Sequence, residues 1–295
     1  MDPCRLDIMN KTDARKEIAR LREEIDRHNI LYYVEARPEI SDRDYDILYR
    51  RLEDIEKEFP DLVTPDSPTR RGGGAPLKEF QHVHHIVRML SLEKAEDIRE
   101  LRLFEARVRK ELPDEEIEFV LEPKVDGVSI GVRYEEGMMT LGTTRGDGTV
   151  GDDITANIRT VRGIPLKLRR DGAPALFEAR GEVYMRDVDR ISMNTRLEEA
   201  GEKPFPNTRN ATAGSLKLLD SRLVAQRPIR AVFYGVGAIE GLNFRTHTEE
   251  LDYLKACGLP TPHLWWRCST IEEACNKAED MKKQEASLPY EIDGV

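Results

Sequence analysis

The sequence predicts an α+β fold: a small N-terminal helical subdomain, then a domain of antiparallel sheets with flanking helices. Three observations predict it. Apolar residues recur with a helical period across residues 12–59. Strand-like runs rich in β-branched residues crowd between 117 and 239. The helices among them do not alternate with strands one for one, which argues against a doubly wound sheet. The 295 residues fit one large domain or two. The division is placed between 1–70 and 71–295.

Each element follows from local chemistry. Ile18, Leu21, Ile25 and Tyr32 form a helical stripe over 12–34, and Pro38 stops that helix. Ser41 with Asp44 is a capping pattern for a second helix, whose stripe is Tyr45, Leu48, Leu52, Ile55 and Phe59. Residues 60–76 are dense in Pro, Gly and polar residues and read as a linker or long loop. A third helix is expected over 93–112, with Ile98, Leu101, Phe104 and Val108 inward. Strands are expected at 117–123, 128–134, 138–146, 175–185 and 229–239, with a hairpin turn at Glu135-Glu136-Gly137. Shorter helices are expected at 152–160, 187–200, 210–219, 247–257 and 270–287.

Composition excludes several classes. No stretch approaches the ~18 apolar residues of a membrane span, and the N-terminus has no secretory pattern. Cys4, Cys257, Cys268 and Cys275 form no C-x-x-C pair and no disulfide framework, so reduced thiols in a cytoplasmic protein are expected. His82, His84 and His85 could hold a metal, but no cysteine or carboxylate stands nearby at zinc spacing. A polar loop or the start of a strand is the preferred reading there. The formal net charge of −10 argues, taken globally, against a nucleic-acid partner.

Two signals point to phosphate chemistry. Gly146-Asp147-Gly148-Thr149-Val150-Gly151 matches G-x-G-x-x-G. It follows a hairpin rather than opening a βαβ unit, and Asp147, Asp152 and Asp153 put negative charge where a pyrophosphate would sit. A glycine-rich loop is preferred to a dinucleotide fold. The second signal is Glu122-Pro123-Lys124-Val125-Asp126-Gly127, which contains K-x-D-G between two strand-like runs. Alone it is weak, and a solvated hairpin turn competes with it. Its lysine is nevertheless a candidate nucleophile.

The weight shifts when further segments are read in order. These are Arg145-Gly146, Glu178-Ala179-Arg180-Gly181-Glu182, Asn207-Thr208-Arg209-Asn210, Ala213-Gly214-Ser215-Leu216-Lys217, Tyr234-Gly235-Val236-Gly237 and Glu291-Ile292-Asp293-Gly294-Val295. The series resembles the bacterial NAD+-dependent DNA ligases, members of the covalent nucleotidyltransferase superfamily. The resemblance covers essentially the whole chain.

The resemblance implies that Lys124 becomes adenylated by NAD+, releases nicotinamide mononucleotide, and passes AMP to the 5′-phosphate of a DNA nick. It implies that Arg145, Arg209 and Lys217 face the phosphate charge, although the family usually has Arg where this chain has Lys217. Asp126 belongs to the same catalytic motif. Glu182 and Asp293 match acidic positions serving ribose, metal or lysine. Tyr234 matches the residue stacking on adenine, and Glu122, Ser91 and Leu92 match adenine contacts. Tyr32, Tyr33, Asp42, Tyr45 and Asp46 match the nicotinamide mononucleotide site, with Tyr33 where the family commonly has His. Aromatics and carboxylates suit a cationic ring, and residues 1–70 carry 13 basic against 18 acidic side chains.

The expected cofactors are therefore NAD+ and Mg2+ (or Mn2+), with zinc only in family domains downstream of this chain. The expected partner is nicked duplex DNA, bound weakly here, with no membrane and a monomeric state. The bacterial cytosol is the expected location. The chain is read as ending before a downstream family lysine, and so as unable to seal nicks alone. Two other readings stand beside this one: an ATP-dependent ligase or capping-type nucleotidyltransferase, and a non-catalytic NAD+-binding protein. The global charge argument is also too coarse. Residues 203–230 hold Lys203, Arg209, Lys217, Arg222, Arg227 and Arg230 against Asp220 alone, a local basic stretch suited to phosphates.

Overall fold

A computed structural model of the chain describes residues 9–35, 37–71, 76–169 and 172–295. Two N-terminal helices, α1 (Lys11–Tyr33) and α2 (Asp42–Glu58), form the helical pair. Asn10 caps α1 by accepting from the amides of Thr12 and Asp13 at 3.0 Å, and Ser41 caps α2 as its spacing predicts. Ala14, Ile18, Leu21 and Ile25 bury against Leu52 and Ile55. Each of the leucines and isoleucines contributes ~1.5–3 kcal/mol when fully buried.

The segment after α2 is strapped down. It holds two short 3-10 turns, Pro60–Leu62 and Pro68–Arg70. Buried Glu56 accepts from Ser67 Oγ at 2.7 Å, from Thr69 Oγ1, and from Arg22 Nε at 3.2 Å. Arg71 then enters the main domain. Its guanidinium donates to the carbonyls of Val161 at 3.1 Å and Ile164 at 2.8 Å. Residues 72–75 of the expected linker lie outside the described residues.

The main domain follows: β1 (His82–His84), α3 (Ile98–Glu111), β2 (Phe119–Leu121), β3 (Lys124–Val125), β4 (Val128–Glu135), β5 (Met138–Thr144), β6 (Val150–Asp152), α4 (Thr155–Ile158), β7 (Leu176–Met185), α5 (Asp187–Glu199), α6 (Thr208–Leu216), α7 (Ser221–Val224), β8 (Ile229–Ile239), α8 (His247–Ala256), β9 (Trp266–Cys268), α9 (Ile271–Gln284) and β10 (Ile292–Gly294). Its centre is a four-stranded sheet of order β5-β4-β7-β8. Small pairs β1-β6, β10-β3 and β2-β9 surround it, and every pairing is antiparallel. Glu136 and Gly137 both adopt positive φ between β4 and β5, the two-residue turn that matches strand twist. The core lies on one sheet face, where Ile130, Val132, Tyr134, Phe177, Val183 and Phe233 meet side chains of α4 to α8.

Several expectations change. The third helix begins at Ile98, capped by Asp97 rather than starting at 93. Its apolar face is not inward: Ile98 and Phe104 are exposed, and Leu101 and Val108 half-buried. The helix packs on α9 at the periphery rather than on the core. The helix expected at 152–160 is the end of β6 followed by the four-residue α4. His82–His84 form β1. Strands β6, β9 and β10 have no counterpart in the sequence reading, because two- and three-residue pairings leave no periodicity. Cys257 and Cys268 are buried, Cys275 is half-buried, and Cys4 lies outside the described residues. Among the described residues no helix is long and apolar enough to cross a membrane.

Candidate active site

Lys124 stands in β3, and β10 pairs with it antiparallel, placing Ile292 opposite Val125 and Gly294 opposite Lys124. This brings the Asp293 carboxylate into contact with Lys124 Nζ across 169 residues of sequence. Asp126 accepts from Arg209 Nη1 at 2.8 Å. Arg209 sits in the first turn of α6, whose N-cap Asn207 accepts from the Asn210 amide. Gly127 is required by close approach: a Cβ there would overlap the Val183 carbonyl and the Glu182 side chain. Without it the motif could not lie against β7.

Glu182 projects from β7 toward the same place. Ser129 Oγ donates to it at 2.9 Å and Tyr234 Oη at 3.3 Å. Burial pushes its carboxyl up to about 7; the bonds from Ser129 and Tyr234 and the charges of Arg209 and Lys124 oppose that rise. Tyr234 reaches Glu182 through a register shift. Arg180 pairs with Gly235 but Gly181 pairs with Phe233, so Tyr234 is the extra residue of a β-bulge, a device that re-aims a side chain.

The other expected residues are less gathered. Arg145 is exposed at the end of β5, and Lys217 is exposed at the C-cap of α6. Neither side chain makes a hydrogen bond or ion pair among the described residues. The charged group touching Lys124 is a carboxylate. Ser91 and Leu92 lie in an exposed irregular segment, tethered upstream where Arg180 donates to the carbonyls of Val87 and Arg88. Glu122 precedes the motif, and its Oε1 lies 3.1 Å from Nε2 of His247, a residue the sequence reading missed. Its partner Glu122 lies 125 residues away in the chain, so no local pattern marked it.

The helical pair forms a second concavity. A cavity of about 310 Å³ is lined by His28, Asn29, Tyr32, Tyr33, Asp42 and Tyr45 on one side, and by Arg162, Arg227 and Arg230 on the other. Tyr45 Oη donates to Asn29 Oδ1 at 2.9 Å. The Arg230 guanidinium stacks over the Tyr32 and Tyr33 rings, 5.1 and 5.5 Å from their centroids. Asp46 is exposed and does not line the cavity. On the β7–β8 face, Tyr184 pairs with Arg230 and Glu182 with Val232. Residues two apart on a strand share a face, so the cavity and the Lys124 cluster lie along one face of the sheet.

The glycine-rich loop at 146–151 serves its own turn. Gly146 and Gly148 adopt positive φ, and Asp147 Oδ1 accepts from the amides of Thr149 at 2.7 Å and Val150 at 2.8 Å. Those amides are not free for a phosphate, and among the described residues the antiparallel pairing holds no βαβ unit. Glu182 and Asp293 are carboxylates that could share a divalent cation with substrate phosphates, since Mg2+ is commonly held by one or two carboxylates. Among the described residues no group of three or more His, Cys, Asp or Glu side chains is arranged to hold a metal ion by itself, these two carboxylates included.

Residues 11–73 match the family model of the DNA ligase-like N-terminal NAD+-binding domain. A DNA ligase of Geobacter sulfurreducens is 48% identical over 290 residues, 97% of this chain and 43% of that protein. Those of Methylacidiphilum infernorum and Rubrobacter xylanophilus are 46% and 48% identical, over 98% and 96% of this chain. The chain spans less than half the length of these relatives. Residues 77–295 match the model of the NAD-dependent DNA ligase adenylation domain, and the chain belongs to that family.

Proposed function

We propose that this chain performs the nucleotidyl-transfer step of an NAD+-dependent DNA ligase, with residues 1–70 as the nicotinamide-side module and 71–295 as the adenylation domain. The observation that carries the reading is the convergence of Lys124, Asp293, Arg209, Glu182 and Tyr234 on one sheet face continuous with the aromatic cavity.

In this reading Lys124 Nζ attacks the adenylyl phosphorus of NAD+. The N–P bond forms, the P–O bond to nicotinamide mononucleotide breaks, and that group leaves with the electron pair. The Asp293 carboxylate touches Nζ and is placed to orient it and take its proton. Arg209 exchanges Asp126 for phosphate oxygens, and Arg145 and Lys217 add positive charge at the rim. Tyr234 stacks on adenine, while Glu122, Ser91 and Leu92 contact its edge. Glu182 accepts from the ribose hydroxyls. Tyr32, Tyr33, Asp42, Tyr45 and Asp46 receive the nicotinamide mononucleotide moiety. Glu182 and Asp293 would hold Mg2+ (or Mn2+), which supplies charge neutralisation at the phosphates. AMP then passes to the 5′-phosphate of nicked duplex DNA, bound by a monomer in the cytoplasm.

The test is intact mass after incubation with NAD+ and Mg2+. An AMP adduct is expected with wild type and absent from Lys124→Ala. An adduct formed from ATP but not from NAD+ would transfer the reading to the ATP-dependent branch of the superfamily.

A further inference from the structure

We propose that His247 is a positioning residue for base selection: by bridging Glu122 and Glu250 it fixes Glu122 so that one carboxylate oxygen is presented to the 6-amino group of a purine. This rests on the reading above for the identity of the ligand.

The geometry is specific. His247 opens α8, far in sequence from the nucleophile. Its Nε2 lies 3.1 Å from Glu122 Oε1 and its Nδ1 lies 2.8 Å from Glu250 Oε2. A ring that donates from both nitrogens carries a positive charge. A helix N-terminus disfavours a cation, yet the two carboxylates outweigh it and hold His247 up to about 9. Glu122 is also fixed through its backbone. Leu121 before it pairs with Trp266 of β9, and the buried Pro123 follows.

With Oε1 held by His247, Glu122 Oε2 remains buried and without a hydrogen-bond partner among the described residues. A buried carboxylate oxygen left unpaired is costly, and two residues later stands the proposed nucleophile. The missing partner is therefore a donor that arrives with the substrate. An exocyclic amine fits an ionised acceptor; a carbonyl at the same ring position sets oxygen against oxygen. Adenine and hypoxanthine differ by that exchange. A site built to bond such a donor discriminates strongly against the analogue lacking it. If His247 is lost, Glu122 regains rotamer freedom and the preference relaxes.

The test compares AMP with IMP by calorimetric binding to the 295-residue chain, alongside Tm. Wild type is expected to prefer AMP by at least about tenfold, the range of one charge-assisted hydrogen bond. His247→Ala should bring the ratio close to one. Glu250→Gln, which leaves Glu122 and His247 in place, should give an intermediate ratio and guards against a His247→Ala protein that fails to fold. Adduct formation is measured in parallel with NAD+ and nicotinamide hypoxanthine dinucleotide. A wild type without preference, or a folded His247→Ala variant that keeps the full preference, overturns the proposal. Preference for AMP with no adduct from NAD+ leaves base selection standing and sinks the transfer reading instead.

Discussion

At the scale of single residues, the site depends on charges held in unusual surroundings. Glu182 is the clearest case. Its ordinary carboxyl value of 4.5 rises to about 7, with burial as the main cause. A raised value means that the folded state binds the proton more tightly than the unfolded one. The resulting stabilisation is complete below about 4.5 and is lost as pH rises through about 7. Glu182→Gln keeps the shape and removes the titration. It should flatten the fall of Tm between pH 4.5 and 7, and exceed wild type at pH 8 by ~2–3 kcal/mol. An unchanged slope in thermal melts across that range would show that burial does not act on this carboxyl. Here the residue type was legible in the sequence and its environment was not, since Ser129 and Tyr234 reach it from two other strands.

At the scale of elements, amphipathicity was a good guide to existence and a poor guide to burial. The patterns of α1 and α2 face each other: Ile18, Leu21, Ile25, Leu52 and Ile55 are buried, Tyr45, Leu48 and Phe59 pack partly buried against them, and Tyr32 turns to the cavity instead. The equally periodic stripe of α3 is not buried, because a stripe needs a partner and α3 meets chiefly α9 at the periphery of the described structure. Phe104→Ser in α3 should therefore change stability by less than ~1 kcal/mol. Phe233→Ala, fully buried in β8, should cost ~3–5 kcal/mol through transfer loss and the cavity left behind. Denaturant melts of both variants check the contrast, and a large loss from Phe104→Ser would place α3 in the core. The bulge at Tyr234 has the same lesson. Tyr-Gly-Val-Gly marks a strand, but the shift that aims the ring exists only relative to β7.

At the scale of the whole molecule, Arg71 joins the helical pair to the adenylation domain. Its buried guanidinium bonds main-chain carbonyls of the loop after α4, without an acidic hydrogen-bond partner among the described residues. Arg71→Met should leave those carbonyls unpaired and lower stability by ~1–3 kcal/mol. It should also speed proteolytic cleavage within 60–76, and equal cleavage rates for variant and wild type would remove Arg71 from this role. By itself the sequence determined the helical pair, the main strands, the hairpin turn and the family motifs carrying Lys124, because these are local patterns or fixed spacings. Only the tertiary structure decided that Asp293 touches Lys124, that His247 holds Glu122 and that Tyr32 lies under Arg230. Those contacts span 169, 125 and 198 residues. They depend on strand register and on which faces find a partner, and no local periodicity encodes either.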